Sequence, residues 1–477
     1  MEDTYTDKLT FGTDGWRDII GDIFTFKNVS RVAQAYAEHL LEKNTPSVVI
    51  GYDTRFNGAR FANLVAETMA ANGVAVKIAA APLPTPALSL AAVHFGAGGG
   101  VMLTASHNPP AYNGFKIKGP YGGTATPDIY EDVASRTDRI TPQDVKAFDA
   151  KTHSFETFDI RNAYFDKLAE LVDVDVLKSA SGSLVHDAMG GAAAGWLKGF
   201  LQYVGSSVEV EEVRSEPTPM FYGVNPEPMP QNLATTMTHM QNSDAYFAAV
   251  TDGDGDRLGL VLPGGDYFNA HQIFAVLLSL MNEKGYSGRV IKTFNVSRLV
   301  ERLAAKRNIP VSETPIGFKY IVAAMLEGDV LIGGEESGGI GVTGYLPERD
   351  GVANSLLMLE AVLKSGRSVA DLFAALEDET DWQHAYDRLD VHLSGGELKD
   401  AVMTSLENPP SQFAEREVES VETLDGVKLN LSGNAWILFR PSGTEPVLRV
   451  YCEASNEEEV EKILEAAQGW VSAQESA

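Results

Sequence analysis

The sequence is poor in sulfur and in positive charge, and it lacks any long apolar run. Its 477 residues include one cysteine, Cys452, so an intrachain disulfide is excluded. A single thiol fits a reducing compartment, and a cytoplasmic location is expected. No apolar run approaches the roughly 20 residues that cross a bilayer as a helix, so no membrane partner is expected. The segment Met1 to Asp7 is acidic and has no apolar stretch, so it does not read as a secretory leader. Lysine and arginine number 38 against 66 aspartates and glutamates, a formal net charge of −28. That balance offers no basic face, and a nucleic-acid partner is not expected. It also opposes anionic ligands, so a phosphate site would have to be built from local cations and backbone amides. The acidity itself reads as a solvated surface, or as adaptation to high salt. Nothing in these features sets an oligomeric state.

Apolar side chains, by contrast, make up 44% of the chain. That is enough for a core in each of the three or four domains that the length suggests, at roughly 100–200 residues apiece. Strand and helix patterns alternate. Ser47 to Tyr52 reads as a buried strand ending in Asp53-Thr54-Arg55, Arg60 to Asn72 as a helix and Val74 to Ala79 as the next strand. A second block begins with the strand Gly182 to His186, a Gly190-Gly191 turn and an Ala-rich helix. A third has the helix Ile273 to Met281 and the strand Val290 to Thr293. Such alternation predicts parallel α/β units. The C-terminal block differs: strands Ala435 to Phe439 and Val447 to Tyr451 flank a loop. A helix follows, with Val460, Ile463, Leu464, Ala467 and Val471 on one face and Ser455 or Asn456 as its cap. Linkers are expected near Lys151 to Asp159, Pro263 to Asp266 and Glu379 to Asp390.

Thr251-Asp252-Gly253-Asp254-Gly255-Asp256-Arg257 lies between two apolar strands. Its glycines let the backbone curve until three carboxylates converge. Converging anions call for a cation, and an all-oxygen set suits Mg²⁺. An EF-hand is excluded, because Arg257 stands at its glycine position and Pro263 at its final glutamate. An aspartyl nucleophile at Asp252 remains a second reading. Thr104-Ala105-Ser106-His107-Asn108-Pro109-Pro110 follows the strand Gly100 to Leu103, and its prolines forbid an immediate helix. It reads either as a turn with a capping serine or as a loop carrying a nucleophile. Lys116, ten residues on, can return to that loop.

Arg440-Pro441-Ser442-Gly443-Thr444-Glu445-Pro446 joins two buried strands. It is a hairpin turn or a phosphate cradle of guanidinium, hydroxyls and backbone amides. Gly334-Glu335-Glu336-Ser337-Gly338 is a polar turn whose carboxylate and hydroxyl suit the hydroxyls of a sugar. Phe11-Gly12-Thr13-Asp14-Gly15-Trp16-Arg17 is a Gly-rich turn with an arginine.

In this order, along nearly the whole chain, these motifs resemble those of the α-D-phosphohexomutase family, the phosphoglucomutases and phosphomannomutases. Pro226-Glu227-Pro228 and Gly317-Phe318-Lys319-Tyr320 add to the resemblance. It implies an α/β fold of four domains around a central cleft: three related α/β domains and a smaller C-terminal helix-and-sheet domain. Their implied extents are 1–152 with the phosphoserine loop, 153–262 with the metal-binding loop, 263–380 with the sugar-binding loop and 381–477 with the phosphate-binding loop.

The implied activity is an intramolecular phosphoryl transfer between glucose 1-phosphate and glucose 6-phosphate, with mannose phosphates left open. It runs through a phosphoserine at Ser106 and a hexose 1,6-bisphosphate, glucose 1,6-bisphosphate serving as intermediate and activator. Mg²⁺ is held by Asp252, Asp254 and Asp256 and touches the Ser106 phosphate. Arg17, His107, Lys116 and Arg257 line the reaction centre, Lys116 serving as base where the site lowers its pKa. Glu335 and Ser337 read sugar hydroxyls, and Arg440, Ser442, Gly443 and Thr444 hold the non-reacting phosphate. Phosphoglucosamine mutase is the alternative within the family, and a metal-dependent sugar phosphatase the one outside it. Many members carry histidine where this chain has Gly339, so the contact that histidine makes is either absent here or supplied elsewhere, with Lys319 as a candidate. Hexosamine members usually have glutamine at the position of Glu336 and Gly-Asp-Arg-Tyr in place of Gly-Phe-Lys-Tyr, so glucose is the expected sugar.

Overall fold

A computed structural model describes residues 8–12, 14–393, 402–406, 409–441 and 447–475. The chain divides into two compact units, Met1–Val290 with Gly317–Phe373, and Ile291–Ile316 with Ala374–Ala477. In the first unit, β1 (Phe11–Gly12), β2 (Gly15–Ile19), β3 (Ser47–Tyr52), β4 (Ala75–Ala79), β5 (Gly100–Leu103), β6 (Tyr112–Lys118) and β7 (Glu156–Phe158) form one sheet in the order β1-β2-β6-β5-β3-β4-β7. β3 is buried along Val48, Val49 and Ile50 and pairs in parallel with β4 and β5. A β-branched run covered on both faces is the pattern expected of a central parallel strand. β6 returns antiparallel to β5, with Met102 opposite Lys116. The loop after β5 is thereby set beside the Lys116 strand. Trp16, Phe24 and Phe61 anchor the core beneath, Trp16 stacked on Phe24 at 4.7 Å between centroids. Truncating such a ring to alanine costs about 3–5 kcal/mol.

The second sheet holds β8 (Ser181–Asp187), β9 (Ser207–Val213), β10 (Ala248–Thr251), β11 (Leu258–Val261) and β12 (Tyr267–Phe268), in the order β12-β11-β10-β8-β9. β10 and β11 are antiparallel, so residues 252–257 form the loop between them. Further along come β13 (Arg289–Thr293), β14 (Val311–Thr314), β15 (Val330–Gly334) and β16 (Ile340–Val342), and β15 pairs antiparallel with β16. The helix Gly351–Ser365 follows, N-capped by Asp350, whose carboxylate accepts from Ala353 N.

The second unit contains a six-stranded sheet of β17 (Ala385–His392), β18 (Gln412–Phe413), β19 (Arg416–Glu422), β20 (Val427–Leu431), β21 (Ala435–Pro441) and β22 (Val447–Ala454), ordered β17-β22-β21-β20-β19-β18. The helix Glu457–Glu475 buries Val460, Ile463, Leu464, Ala467 and Val471 against it. Asn456 caps this helix, accepting from Glu459 N at 3.0 Å.

Three expectations need correction. The alanines after Gly190-Gly191 form turns, and the helix starts only at Trp196. Ala192 N donates to Gly253 O, so this stretch packs against the aspartate loop instead of coiling. Much of the linker expected at Glu379 to Asp390 is β17, paired residue for residue with β22. The linker near Lys151 likewise ends as β7, an edge strand on β4.

Candidate active site

Ser106 follows β5 and is buried, with φ +53, a left-handed conformation that a non-glycine residue rarely adopts. The strain is held by a frame from the end of β3. Thr104 Oγ1 accepts from Ser106 N at 2.9 Å and donates to Asp53. The Arg55 guanidinium donates to the carbonyls of Ser106 (2.6 Å), Asn108 (2.7 Å), Pro109 and Tyr112 (both 2.9 Å), with Asp53 at 3.2 Å as its counter-ion. Burial pushes the Asp53 carboxyl up to about 6.

The aspartate loop meets this serine. The Ser106 hydroxyl donates to Asp252 Oδ2 at 2.8 Å, while Asp252 Oδ1 accepts from Asp256 N and Arg257 N. Gly253 is required here, because a Cβ would stand 2.6 Å from Ser106 O. Asp254 Oδ2 accepts from Thr85 Oγ1 and from Lys116 Nζ at 2.8 Å; Asp256 Oδ2 lies 3.1 Å from Lys116 Nζ. Burial, reinforced by Asp254 and Asp256, raises Asp252 well above the usual carboxylate range. Asp254 is also buried, but Lys116 and Thr85 outweigh that and lower it.

One oxygen from each of the three aspartates lies within 4.8 Å of the others. Asp254 Oδ1 and Asp256 Oδ1 are buried and have no hydrogen-bond partner among the described residues. Orphaned carboxylate oxygens in a dry site are costly unless a cation takes them, so the triad fits a hard divalent ion.

Lys116 is fully buried, with Asp14 Oδ2 at 3.0 Å as a third carboxylate. Burial lowers its pKa, but Asp14, Asp254 and Asp256 together carry it well above that of ordinary lysine. The lowered value that would make it a resting base is therefore not found. Arg17 is half-buried; it donates to Asn108 Oδ1 at 3.0 Å and approaches Asp14 at 3.5 Å. His107 is half-buried beside Ser106. Arg257 Nε stands 3.9 Å from both Asp252 and Asp256.

Glu335 follows β15 directly and is buried, and its carboxyl is raised by that burial. Its partner was not foreseen. Arg349 Nη1 lies 3.2 Å from Glu335, while Nη2 reaches Asp14 (2.7 Å) and Asp256 (2.8 Å). Lys319 is half-buried, its Nζ 5.3 Å from the Tyr320 ring centroid. Ser337 and Glu336 are half-buried on the same turn. In the second unit, Arg440 pairs with Asp425 at 3.0 Å. Ser442, Gly443 and Thr444, like Thr13, lie outside the described residues.

Four family domains match this chain in order. They are phosphoglucomutase/phosphomannomutase alpha/beta/alpha domain I over residues 8–144, domain II over 162–265, domain III over 269–379 and the C-terminal domain over 399–468. The chain belongs to the phosphoglucomutase/phosphomannomutase family. The fold is accordingly three related α/β domains and a sheet-rich C-terminal domain, and the protein is an intramolecular phosphotransferase of the phosphohexomutase class.

Similarity extends over nearly full length. A phosphoglucomutase/phosphomannomutase of Thermococcus kodakarensis is 29% identical over 465 residues, 95% of this chain and 96% of that one. A phosphoglucosamine mutase of Thermotoga petrophila is 29% identical over 459 residues, covering 95% and 97%. Among solved structures, the "putative phosphomannomutase" of Thermus thermophilus aligns with a TM-score of 0.88 at 42% identity, covering 98% of this chain and 99% of that one. The family is magnesium-dependent and uses a phosphoserine, and the aspartate triad is the arrangement here that suits a metal.

The missed residues are Asp53, Arg55, Thr85, Lys118, Glu348 and Arg349. A signal for the last two was present: Glu348-Arg349-Asp350 precedes a helix whose first two turns are entirely buried, from Gly351 to Leu357. Three charges leading directly into a buried helix must be buried and paired with it. Indeed Glu348 accepts from Lys118 Nζ (2.5 Å) and Ser89 Oγ (2.8 Å), and Asp350 accepts from the hydroxyls of Tyr164 and Tyr345.

Proposed function

We propose that this phosphohexomutase interconverts glucose 1-phosphate and glucose 6-phosphate through a phosphoserine at Ser106, with Mg²⁺ at Asp252, Asp254 and Asp256 and glucose 1,6-bisphosphate as intermediate. The supporting observation is the Ser106 hydroxyl 2.8 Å from Asp252, inside a buried triad that has two oxygens to spare. Phosphorylated Ser106 loses its P–O bond as the sugar hydroxyl forms one. The hydroxyl proton must leave, and Ser106 Oγ must gain one. Lys116 enters as an ammonium, gives a proton to Ser106 Oγ and takes one from the hydroxyl, which closes the balance. The return step reverses this after the bisphosphate has turned over. Mg²⁺ would neutralise charge on the transferring phosphoryl group. Arg17, His107 and Arg257 stabilise that charge; a guanidinium keeps its protons. Glu335 and Ser337 read sugar hydroxyls, Lys319 stands upstream of them, and Arg440, Ser442, Gly443 and Thr444 hold the other phosphate.

Glucose is favoured by Glu336 and by Gly317-Phe318-Lys319-Tyr320, which resemble the glucose and mannose side of the family. The second reading is glucosamine phosphate, the substrate named for several relatives near 29% identity. We further take the domain boundaries at 152, 262 and 380, and the compartment as cytosolic.

The test compares kcat/KM for glucose, mannose and glucosamine 1-phosphates at one Mg²⁺ concentration, with released inorganic phosphate measured in parallel. Glucose 1-phosphate should be fastest, without phosphate release. Intact mass should show one added phosphate that Ser106→Ala lacks. Glucosamine 1-phosphate as the best substrate would overturn the sugar assignment, and full activity of Ser106→Ala the mechanism.

A further inference from the structure

Arg349 and Gly339 are built for one another. An ideal Cβ at Gly339 would fall inside van der Waals contact of Arg349 Cδ, 3.0 Å from Cγ and 3.2 Å from Glu335 Oε2. The arginine stem occupies the room that a side chain at 339 would need. Through that gap its guanidinium reaches three carboxylates from separate parts of the chain: Asp14, Asp256 and Glu335. It stacks over Phe318, 5.1 Å from the ring centroid, and is buried. Behind it Arg349 N donates to Glu348, itself tied to Lys118, so the backbone at 349 is fixed as well. Nη2 takes Asp14 and Asp256 while Nη1 takes Glu335; an ammonium donates from one atom and gathers carboxylates, as Lys116 does, only where they converge on a single point.

We propose that Arg349 is a positioning residue of the phosphohexomutase site, locking the sugar loop's Glu335 in register with the aspartate loop, and that Gly339 is side-chain-free to admit it. Asp256 is one of the triad, and Glu335 is the residue read above as facing the sugar, so the inference rests on that reading. One guanidinium thus links the group that seats the substrate to the group that seats the metal. Loss of that link should move two readouts together, KM for the hexose phosphate and the half-saturating Mg²⁺ concentration. A residue serving only stability would move neither in a folded variant.

The experiment is a double-mutant cycle on the full-length enzyme, using the hexose 1-phosphate it turns over fastest. Gly339→Ala, which displaces the Arg349 stem, and Arg349→Ala should each lower kcat/KM at least about tenfold. The double variant should be no worse than Arg349→Ala, because removing the stem leaves room for the new methyl. Arg349→Ala leaves three carboxylates short of a cation and can fail to fold. Arg349→Lys keeps the charge and is the safeguard: it should still fold, with a single cooperative melting transition, yet raise both KM and the Mg²⁺ requirement. Independent, additive losses at 339 and 349, or wild-type KM and Mg²⁺ dependence in Arg349→Lys, would overturn the proposal. Unchanged KM in Glu335→Gln would instead sink the sugar-loop reading, leaving the 339–349 coupling to be judged on its own cycle.

Discussion

At the scale of single residues, the site depends on holding Ser106 in a conformation it would not choose. Left-handed backbone at a non-glycine residue costs on the order of 1 kcal/mol or more and persists only where its surroundings insist. Arg55 is what insists, with three carbonyls of the serine loop and that of Tyr112 at the start of β6 on one guanidinium. Lysine has three donors and no fork, so Arg55→Lys should leave several of these carbonyls unmet and let the serine shift. A misplacement of about 1 Å costs roughly 10²-fold in rate. The expected outcome is a fall in kcat of that order with KM changed little, read by steady-state kinetics alongside the Ser106 phosphate level. Unaltered kcat would show that the loop holds its shape unaided. This residue also marks how far the sequence could be read. Ser106, Lys116 and the three aspartates are legible because each stands in a short motif whose chemistry is local. The burial of Arg349 is signalled by its place before a buried helix, but its partner is not, since it meets Asp14 across 335 positions of chain and no motif spans that distance.

At the scale of elements, the strands were the legible part. Ser47–Tyr52 and Gly100–Leu103 have the bounds their apolar runs predict, because buried parallel strands announce themselves by composition. The alanines at 192–194 misled, because helix propensity is a weak prior and packing against Gly253 overrode it. The helix Gly351–Ser365 offers a test at this scale. Its cap, Asp350, is buried and accepts from Ala353 N, Tyr164 and Tyr345. Burial pushes this carboxyl up to about 6, the hydrogen bonds offsetting only part. An unfolded aspartate titrates near 3.9. Between those values the folded chain keeps a proton that the unfolded chain has released, so this group's contribution to stability falls as pH rises from about 4 to about 6. The total is on the order of 3 kcal/mol. Asparagine can still cap the helix but does not titrate. The melting-temperature difference, Asp350→Asn minus wild type, should therefore grow across that window and level off above it. A difference that stays constant from pH 4 to pH 7 would show that Asp350 is ionised throughout.

At the scale of the whole molecule, the charge of −28 must be reconciled with a phosphorylated substrate. Close to Ser106 the charges nearly cancel: Lys116, Arg257 and Arg349 stand among Asp14, Asp252, Asp254 and Asp256. A bound divalent ion and a phosphoserine add charge of opposite sign and similar size, so the local balance stays close. What a hexose phosphate meets on approach is then the field of the surface, and that field is repulsive. Salt screens such a field over a Debye length of about 30 Å at 0.01 M and about 8 Å at 0.15 M. Ionic strength should therefore help this enzyme. With Mg²⁺ fixed and saturating, kcat/KM should rise severalfold as NaCl goes from about 10 to about 150 mM, while kcat stays nearly constant because transfer within the buried site is screened far less. Viscosity dependence of kcat/KM identifies the range in which association limits the rate. If kcat/KM falls with salt, the cations at the site dominate the approach and the surface charge has no say in catalysis. The sign of the slope decides between the two fields.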